Sequence, residues 1–552
     1  MNDWSRRAWL QAALGSGVVC AAGCQPSHRL PPAGEWVGAG HAVGHRLRDQ
    51  PPPTVAADAW RDVEVVIVGA GIAGLSAAWQ LQRHGCRDVV VLELESVAGG
   101  TARSGQGAAG EFPWGAHYLP LPQPDQTALG ELLRDMDVIQ GLAPDGRWLV
   151  NEESLCRDPQ ERLFIEGRWQ EDLDPLEEAA DWERAQGTAW QQEVARWCHW
   201  RDDAGRRAFT LPSRHCSDAP VLQALDQISM AEWLDQRGWN SPHLRWLINY
   251  ACRDDYGASI DQVSAWAGLF YFCARQEEMS GQSQPFLTWP DGNGRIVRHL
   301  AAGLGDRLYT GCPVWSIRPP SSSTFPSSQS ADSTDPPRLE IAAGGLGDRP
   351  ALGWRARHVI AAIPQFIAAR VIPGYAEARG EWIRELTYGS WLVANVQVRD
   401  RPRSVGFPLA WDNVIYASPS LGYVVASHQR GLDHGPTVFT WYHAFDDADP
   451  RSARQRLLDL SWEEGAEMVL RDLELAHPDI RPLVERIDLM RWGHAMVRPR
   501  PGFRFAPART ALQQPFHGIH FAHTELSGLA LFEEAFDHGL RAADEILMAR
   551  RT

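Results

Sequence analysis

Val63-Glu64-Val65-Val66-Ile67-Val68-Gly69-Ala70-Gly71-Ile72-Ala73-Gly74 is the stretch that decides the fold. The run from Val63 to Val68 is short, mostly apolar and rich in β-branched residues, as a buried parallel strand is. Gly69, Gly71 and Gly74 come next with the spacing G-x-G-x-x-G, and Leu75 to Gly85 continues with helical spacing. Val89-Val90-Val91-Leu92 then reads as a second strand, closed by the acid Glu93. Gly69 serves the tight turn, Gly71 lets the backbone approach a pyrophosphate, and Gly74 lets helix and strand pack closely. The helix start offers free N–H groups and a positive dipole end to phosphates. Glu93, 19 residues after Gly74, is placed to accept from ribose hydroxyls and would repel a 2′-phosphate.

Composition narrows the chemistry. The 552 residues carry a net charge of −16 and contain no lysine, so every basic side chain other than histidine is an arginine. That excludes a Schiff-base lysine, a Walker phosphate loop and any amine nucleophile. The net acidity argues against nucleic-acid binding, which rests on clustered positive charge. Hydrophobic content of 44% and charged content of 22% suit a globular protein with a sizeable core. The cysteines are widely spaced and contain no C-x-x-C, so no metal site and no disulfide is expected.

The N-terminus reads as an address. Ser5-Arg6-Arg7-Ala8-Trp9-Leu10-Gln11 matches the twin-arginine (Tat) export pattern, and the Gly/Ala-rich stretch from Ala12 to Gly23 is too short to span a membrane. The stretch ends Ala21-Ala22-Gly23-Cys24, which resembles a lipoprotein processing site with Cys24 as the acylated residue. The expectation is a Tat-exported protein, periplasmic or tethered to a membrane through Cys24, with residues 25–59 as a Pro/Gly-rich spacer.

The residues after Glu93 separate flavin from nicotinamide. Ala98-Gly99-Gly100-Thr101-Ala102-Arg103 resembles the second signature of the glutathione-reductase-type FAD fold, as found in the flavin-containing amine oxidase superfamily, to which phytoene desaturases are related. Trp114-Gly115-Ala116-His117 resembles its next motif, in which a Gly-Ala pair runs beside the flavin ring. Trp289 to Gly294, leading to Cys312-Pro313-Val314, resembles the return to the FAD domain, with Val314 at the adenine. Arg357 to Pro364 resembles the family strand that ends in proline. Phe521-Ala522-His523-Thr524-Glu525-Leu526-Ser527 and Gly539-Leu540-Arg541-Ala542-Ala543 resemble the closing pattern. The resemblance implies FAD as cofactor, with Gly69, Gly71, Gly74, Glu93, Gly99, Gly100, Arg103, Gly115, Ala116, Val314 and Glu525 holding it.

The implied fold class is α/β: a glutathione-reductase-type, Rossmann-like FAD domain (60–120, 285–375 and 490–552) interleaved with an α+β substrate domain (121–284 and 376–489). Ser229 to Arg275 reads as helices, and Leu386 to Val398 and Gly422 to Ser427 as strands. Pro319 to Pro337 is a Ser/Pro/Thr-rich loop.

The implied chemistry is hydride transfer from a C–H beside an amine nitrogen to flavin N5, on a neutral amine in an apolar pocket. Two departures from the family pattern matter. The strand resembling G-S-x-x-K reads Gly389-Ser390-Trp391-Leu392-Val393, so valine stands where family oxidases hold a water with lysine, and Asn395 is the nearest polar substitute. The tyrosine expected on the last helix is Leu531, followed by Glu534 where the family has a small residue. Candidate catalytic residues are therefore Asn395, Trp492, His494 and Glu534, with His117, Tyr256 and Tyr442 as weaker ones. Without the lysine, a dehydrogenase passing electrons to a carrier is expected ahead of an oxidase. Three other readings stay open: a desaturase or isomerase of an apolar substrate, an exported flavoprotein without enzymatic activity, and an NAD-linked dehydrogenase.

Overall fold

The computed structural model describes residues 32–38, 41–276, 284–319, 338–347, 349–447 and 449–550. The export signal, Cys24 and nearly all of the 319–337 loop lie outside these residues. The stretch from Val63 to Val68 sits in the strand Trp60–Val68, and Ile72–Arg83 is the helix after it. This strand lies parallel between Val89–Leu92 and Ala351–Ala361, and from Val63 to Val68 its side chains are buried or half-buried on both faces. Leu308–Tyr309 closes one edge of the sheet, and Leu339–Gly344 and Val314–Arg318 extend the other as an antiparallel meander. Ile519–Phe521 adds a parallel partner to the end of Ala351–Ala361. The helices Ile72–Arg83 and Phe532–Ala549 pack closely: a Cβ at Gly539 would stand 2.3 Å from the carbonyl of Ala73. Packing at that distance admits only glycine.

A second, mixed sheet of eight strands is built from other stretches of the chain. Its long members, Tyr388–Val398, Thr437–Phe445 and Val484–Val497, are antiparallel neighbours. The helices Pro450–Asp459 and Trp462–Glu474 bury their apolar faces against it. Met230–Gln236, Pro242–Tyr256 and Ala265–Cys273 form a helical layer with its own core, and Ser229, Ser241 and Ser264 cap their starts. These are the helices and strands that hydrophobic periodicity predicts for Ser229–Arg275 and Leu386–Val398. No helix among the described residues is long and apolar enough to cross a membrane.

Two boundaries differ from expectation. The strand Val484–Val497 runs unbroken through position 490, so the chain leaves the eight-stranded sheet only after Val497. Within the expected spacer, Trp36–Val37 adds an edge strand parallel to Leu489–Met490, and His41–Asp49 is a helix. The Arg491 guanidinium stacks 3.3 Å over the Trp36 ring. A two-residue strand and a helix with no buried residue leave no periodic signal in a Pro/Gly-rich stretch.

Candidate functional site

The turn after Trp60–Val68 opens onto a cavity of about 660 Å³. Two of the three fingerprint glycines are demanded by the protein itself. Gly69 has φ +100°, and a Cβ there would stand 2.4 Å from the carbonyl of Ala362. A Cβ at Gly74 would stand 1.9 Å from the carbonyl of Gly69. Gly71 differs: its φ of −74° is open to any residue, and a Cβ there would meet nothing within 4 Å. That open space lies in the cavity, at a helix start without a side-chain cap, and Ile72 and Ala73 of the first turn also line it.

Glu93 lines the cavity beside this turn, but its carboxylate also holds the turn together. It accepts from the Ala70 N–H at 2.6 Å and the Glu95 N–H at 2.9 Å. Burial pushes its pKa above the usual carboxylate range. Gly99 and Gly100, both at positive φ, fold the next loop back, and the Gly99 N–H donates to the Ala70 carbonyl at 2.8 Å. Gly100, Ala116 and Val314 line the same cavity, and Gly115 packs on the Thr101 carbonyl. Thus the two glycine loops, the acid and the Gly-Ala pair converge on one cavity.

Arg103 and Glu525 take positions behind this wall. Arg103 is buried, 3.7 Å from the Glu95 carboxylate, with its guanidinium 5.4 Å from the Trp492 ring centroid. Glu525 is buried and accepts from the Gln365 N–H at 2.7 Å, while its other carboxylate oxygen has no hydrogen-bond partner among the described residues. Its neighbours His523 and Thr524 reach the cavity. The fit to a dinucleotide rests on the open cradle at Gly71, where an added Cβ would meet nothing within 4 Å, and on a cavity volume within the range of cofactor sites.

The same cavity is also lined by Ala116, Phe366, Trp492, His494 and Leu531. The Trp492 indole N–H donates to the Trp114 carbonyl at 2.7 Å. The His494 ring packs on Phe366 at 4.5 Å and is exposed on the cavity side, and the protein crowded around it together with the Arg454 charge pushes its pKa down to about 4. The other two catalytic candidates are engaged elsewhere. Asn395 is fully buried, donates to the Pro113 carbonyl at 3.1 Å and accepts from the Thr440 hydroxyl at 2.7 Å. With both ends of its amide engaged, it ties the eight-stranded sheet to the Phe112–Trp114 region. Glu534 accepts from the N–H and hydroxyl of Ser213 at 2.6 and 3.0 Å. It anchors the last helix to the Ser213 segment, as a carboxylate in a first helical turn can.

A second cavity, of about 130 Å³, begins one residue further along the chain, at His117. The His117 ring stacks on Tyr442 at 4.9 Å and meets Trp411 at 5.5 Å, while the Tyr442 hydroxyl donates to the Gly115 carbonyl at 2.9 Å. Tyr118, Tyr250, Tyr271 and Trp411 form aromatic walls, and Glu161, Asp254 and Asp412 present carboxylates. Arg275 is the one cation among its described lining residues, and it is already paired with Asp255 at 3.2 Å. These acids come from three separate segments. The one local signal was the acid pair Asp254-Asp255 at the end of the helix Pro242–Tyr256. Trp36, His41 and His45, from the expected spacer, also border the larger cavity.

A sequence profile of the family described as flavin containing amine oxidoreductase matches residues 72–547. A search of curated proteins by sequence finds no match. Solved structures with a similar fold include a putrescine oxidase bound to putrescine, at 16% identity and TM-score 0.61 over 89% of this chain and 100% of that one. A cyclohexylamine oxidase from Brevibacterium oxydans IH-35A has 19% identity and TM-score 0.61 over the same shares, 89% and 100%. A fatty acid isomerase from P. acnes that produces CLA has 17% identity and TM-score 0.59 over 89% of this chain and 99% of that one.

Proposed function

We propose that this chain, which belongs to the flavin-containing amine oxidoreductase family and is an FAD-dependent oxidoreductase, removes a hydride from the carbon beside an amine nitrogen. The observation that carries the reading is the cavity at His117, walled by aromatic rings and lined by the carboxyl groups of Glu161, Asp254 and Asp412. Carboxylates and aromatic faces attract a cationic amine and have no use for an apolar chain. FAD, when bound, supplies the two-electron acceptor.

The residues of this chain do the remaining work. Gly71 and the helix start behind it would hold the pyrophosphate, Glu93 and Val314 the adenosine side, and Ala116 would flank the ring. Trp492, Phe366 and Leu531 give the cavity an apolar wall, which favours the neutral, reactive form of an amine whose free pKa is near 10. His494, packed between rings with its pKa pushed down, lines the same cavity.

The absence of lysine anywhere in the chain supports a dehydrogenase that passes electrons to a carrier. The Ser5–Gln11 signal supports export by the Tat translocase, and Cys24 a membrane tether. The test is steady-state amine oxidation with an artificial electron-accepting dye or with oxygen. Turnover with the dye well above that with oxygen supports the reading, and rapid oxygen consumption with stoichiometric peroxide overturns the dehydrogenase part. A second reading, double-bond chemistry on an apolar substrate, is favoured by the apolar wall at Leu531, Phe532 and Ile367. Reduction by a polyene or quinol, and by no amine, would select it.

A further inference from the structure

We propose that Trp36–Gly38 and the helix His41–Asp49 form a further wall of the FAD site, a strap that holds the cofactor in, with His41 and His45 facing it. These residues lie outside the 72–547 stretch that the family profile matches. The strap is fastened first to the eight-stranded sheet. Trp36–Val37 runs parallel to Leu489–Met490, and the Leu489 N–H donates to the Glu35 carbonyl at 2.9 Å. The Arg486 guanidinium pairs with the Glu35 carboxylate at 2.6 Å, and Arg491 stacks over the Trp36 ring.

From the sheet the chain passes the cofactor cradle. The Gly38 carbonyl accepts from the Arg103 guanidinium at 3.4 Å. Arg103 follows the second glycine loop, in which a Cβ at Gly100 would stand 3.5 Å from the Cα of Gly71. The helix His41–Asp49 then lies beside the helix Gln365–Val371, whose Phe366 and Ile367 line the same cavity. Trp36, Val37, Gly38, His41, His45 and Leu47 thus form the side of the cavity that joins the sheet, the glycine loop and that helix.

The strap helix has little of its own to hold it. Isolated helices shorter than about 12–15 residues are marginal in water. This one has 9 residues, with Gly44 near its middle, and the rest of the protein buries none of them. His41 and His45 are four residues apart, so they share one face, and both line the cavity. An imidazole N–H can donate to a phosphate or ribose oxygen, which are the groups a dinucleotide brings to the cradle at Gly71. Packing on the cofactor supplies what packing on protein does not. Ordering of the helix and retention of FAD are therefore linked, each favouring the other.

The experiment uses the full-length protein, flavin-free and FAD-loaded. Hydrogen exchange of the amides in residues 41–49 should slow by about 10-fold or more when FAD binds. The His41→Ala/His45→Ala double variant removes the cavity-facing rings while raising helix propensity, so a weaker helix cannot account for its effect. It should release FAD about 10-fold faster, read as free-flavin fluorescence after dilution. Trp36→Ala, which loosens the strap at the sheet, should speed release in the same direction. Exchange in 41–49 that FAD leaves unchanged overturns the proposal, and so does wild-type FAD release in the double variant. A raised amine KM with wild-type FAD release would put the helix at the substrate's entrance and overturns it as well. Titration of wild-type apoprotein with FAD tests the cofactor reading separately, whatever the strap does.

Discussion

Replacing Gly71 and Gly74 by alanine, one at a time, should separate binding from folding within one motif. The added methyl at position 74 would stand 1.9 Å from the Gly69 carbonyl and 3.2 Å from the Ala362 Cβ. Strand and helix would have to part, at a cost of about 1–3 kcal/mol or more. At position 71 the methyl meets nothing, and the backbone is already in a region alanine adopts freely. Lower unfolded-state entropy and a slightly poorer helix cap nearly cancel there, leaving the apoprotein within about 1 kcal/mol of wild type. The same methyl stands where the pyrophosphate must approach the first-turn N–H groups. Losing two hydrogen bonds to a charged group, at about 1.5–3 kcal/mol each, weakens FAD binding by at least about 100-fold. Calorimetry on flavin-free protein reads the first effect, and titration of apoprotein with FAD reads the second. Wild-type FAD affinity in Gly71→Ala, or a loss of apoprotein stability there as large as in Gly74→Ala, would refute this division of roles.

The same geometry makes other outcomes measurable. Glu161 has its folded pKa raised from 4.5 to about 7, so the stability it contributes is present below pH 4.5 and lost as pH rises through 7. That loss is about 3 kcal/mol, and in ligand-free protein Glu161→Gln should flatten the fall in unfolding free energy between pH 5 and pH 8, read by denaturant titration; an unchanged slope would contradict the assignment. His494, pushed down to about 4, does not titrate near neutrality. The pH profile of kcat/KM should therefore keep its shape between about pH 5 and 8 in His494→Asn, and loss of an ionisation in that window would make His494 a working base. Replacing Arg6 and Arg7 together by alanine should leave the flavoprotein in the cytoplasmic fraction, whereas unchanged export would refute the Tat reading.

The cofactor half of the site was legible because its signals are local. Turn, helix start and the acid Glu93 sit within one strand-helix-strand unit; Gly69, Gly71, Glu93, Gly99 and Gly100 line one cavity, and Gly74 packs on the Gly69 carbonyl. Substrate-side residues were harder to read. Glu161, Asp254 and Asp412 lie on a strand, a helix and another strand, and only the eight-stranded sheet and the helical layer bring them to one cavity. Asn395 and Glu534 read in sequence as polar groups of the reaction pocket, and the tertiary structure makes both buried connectors. Trp36 and His41 carry too little periodicity to betray a segment that folds back to the cofactor cavity.

The most direct test of amine oxidation by this flavoprotein is anaerobic mixing of the purified yellow protein with 1,4-diaminobutane while the visible flavin band is followed. Bleaching is expected, with one amine consumed and one aldehyde released per flavin, and a slower rate when the carbons beside nitrogen carry deuterium. A spectrum unchanged by every amine tried, in protein that dithionite still reduces, would contradict it.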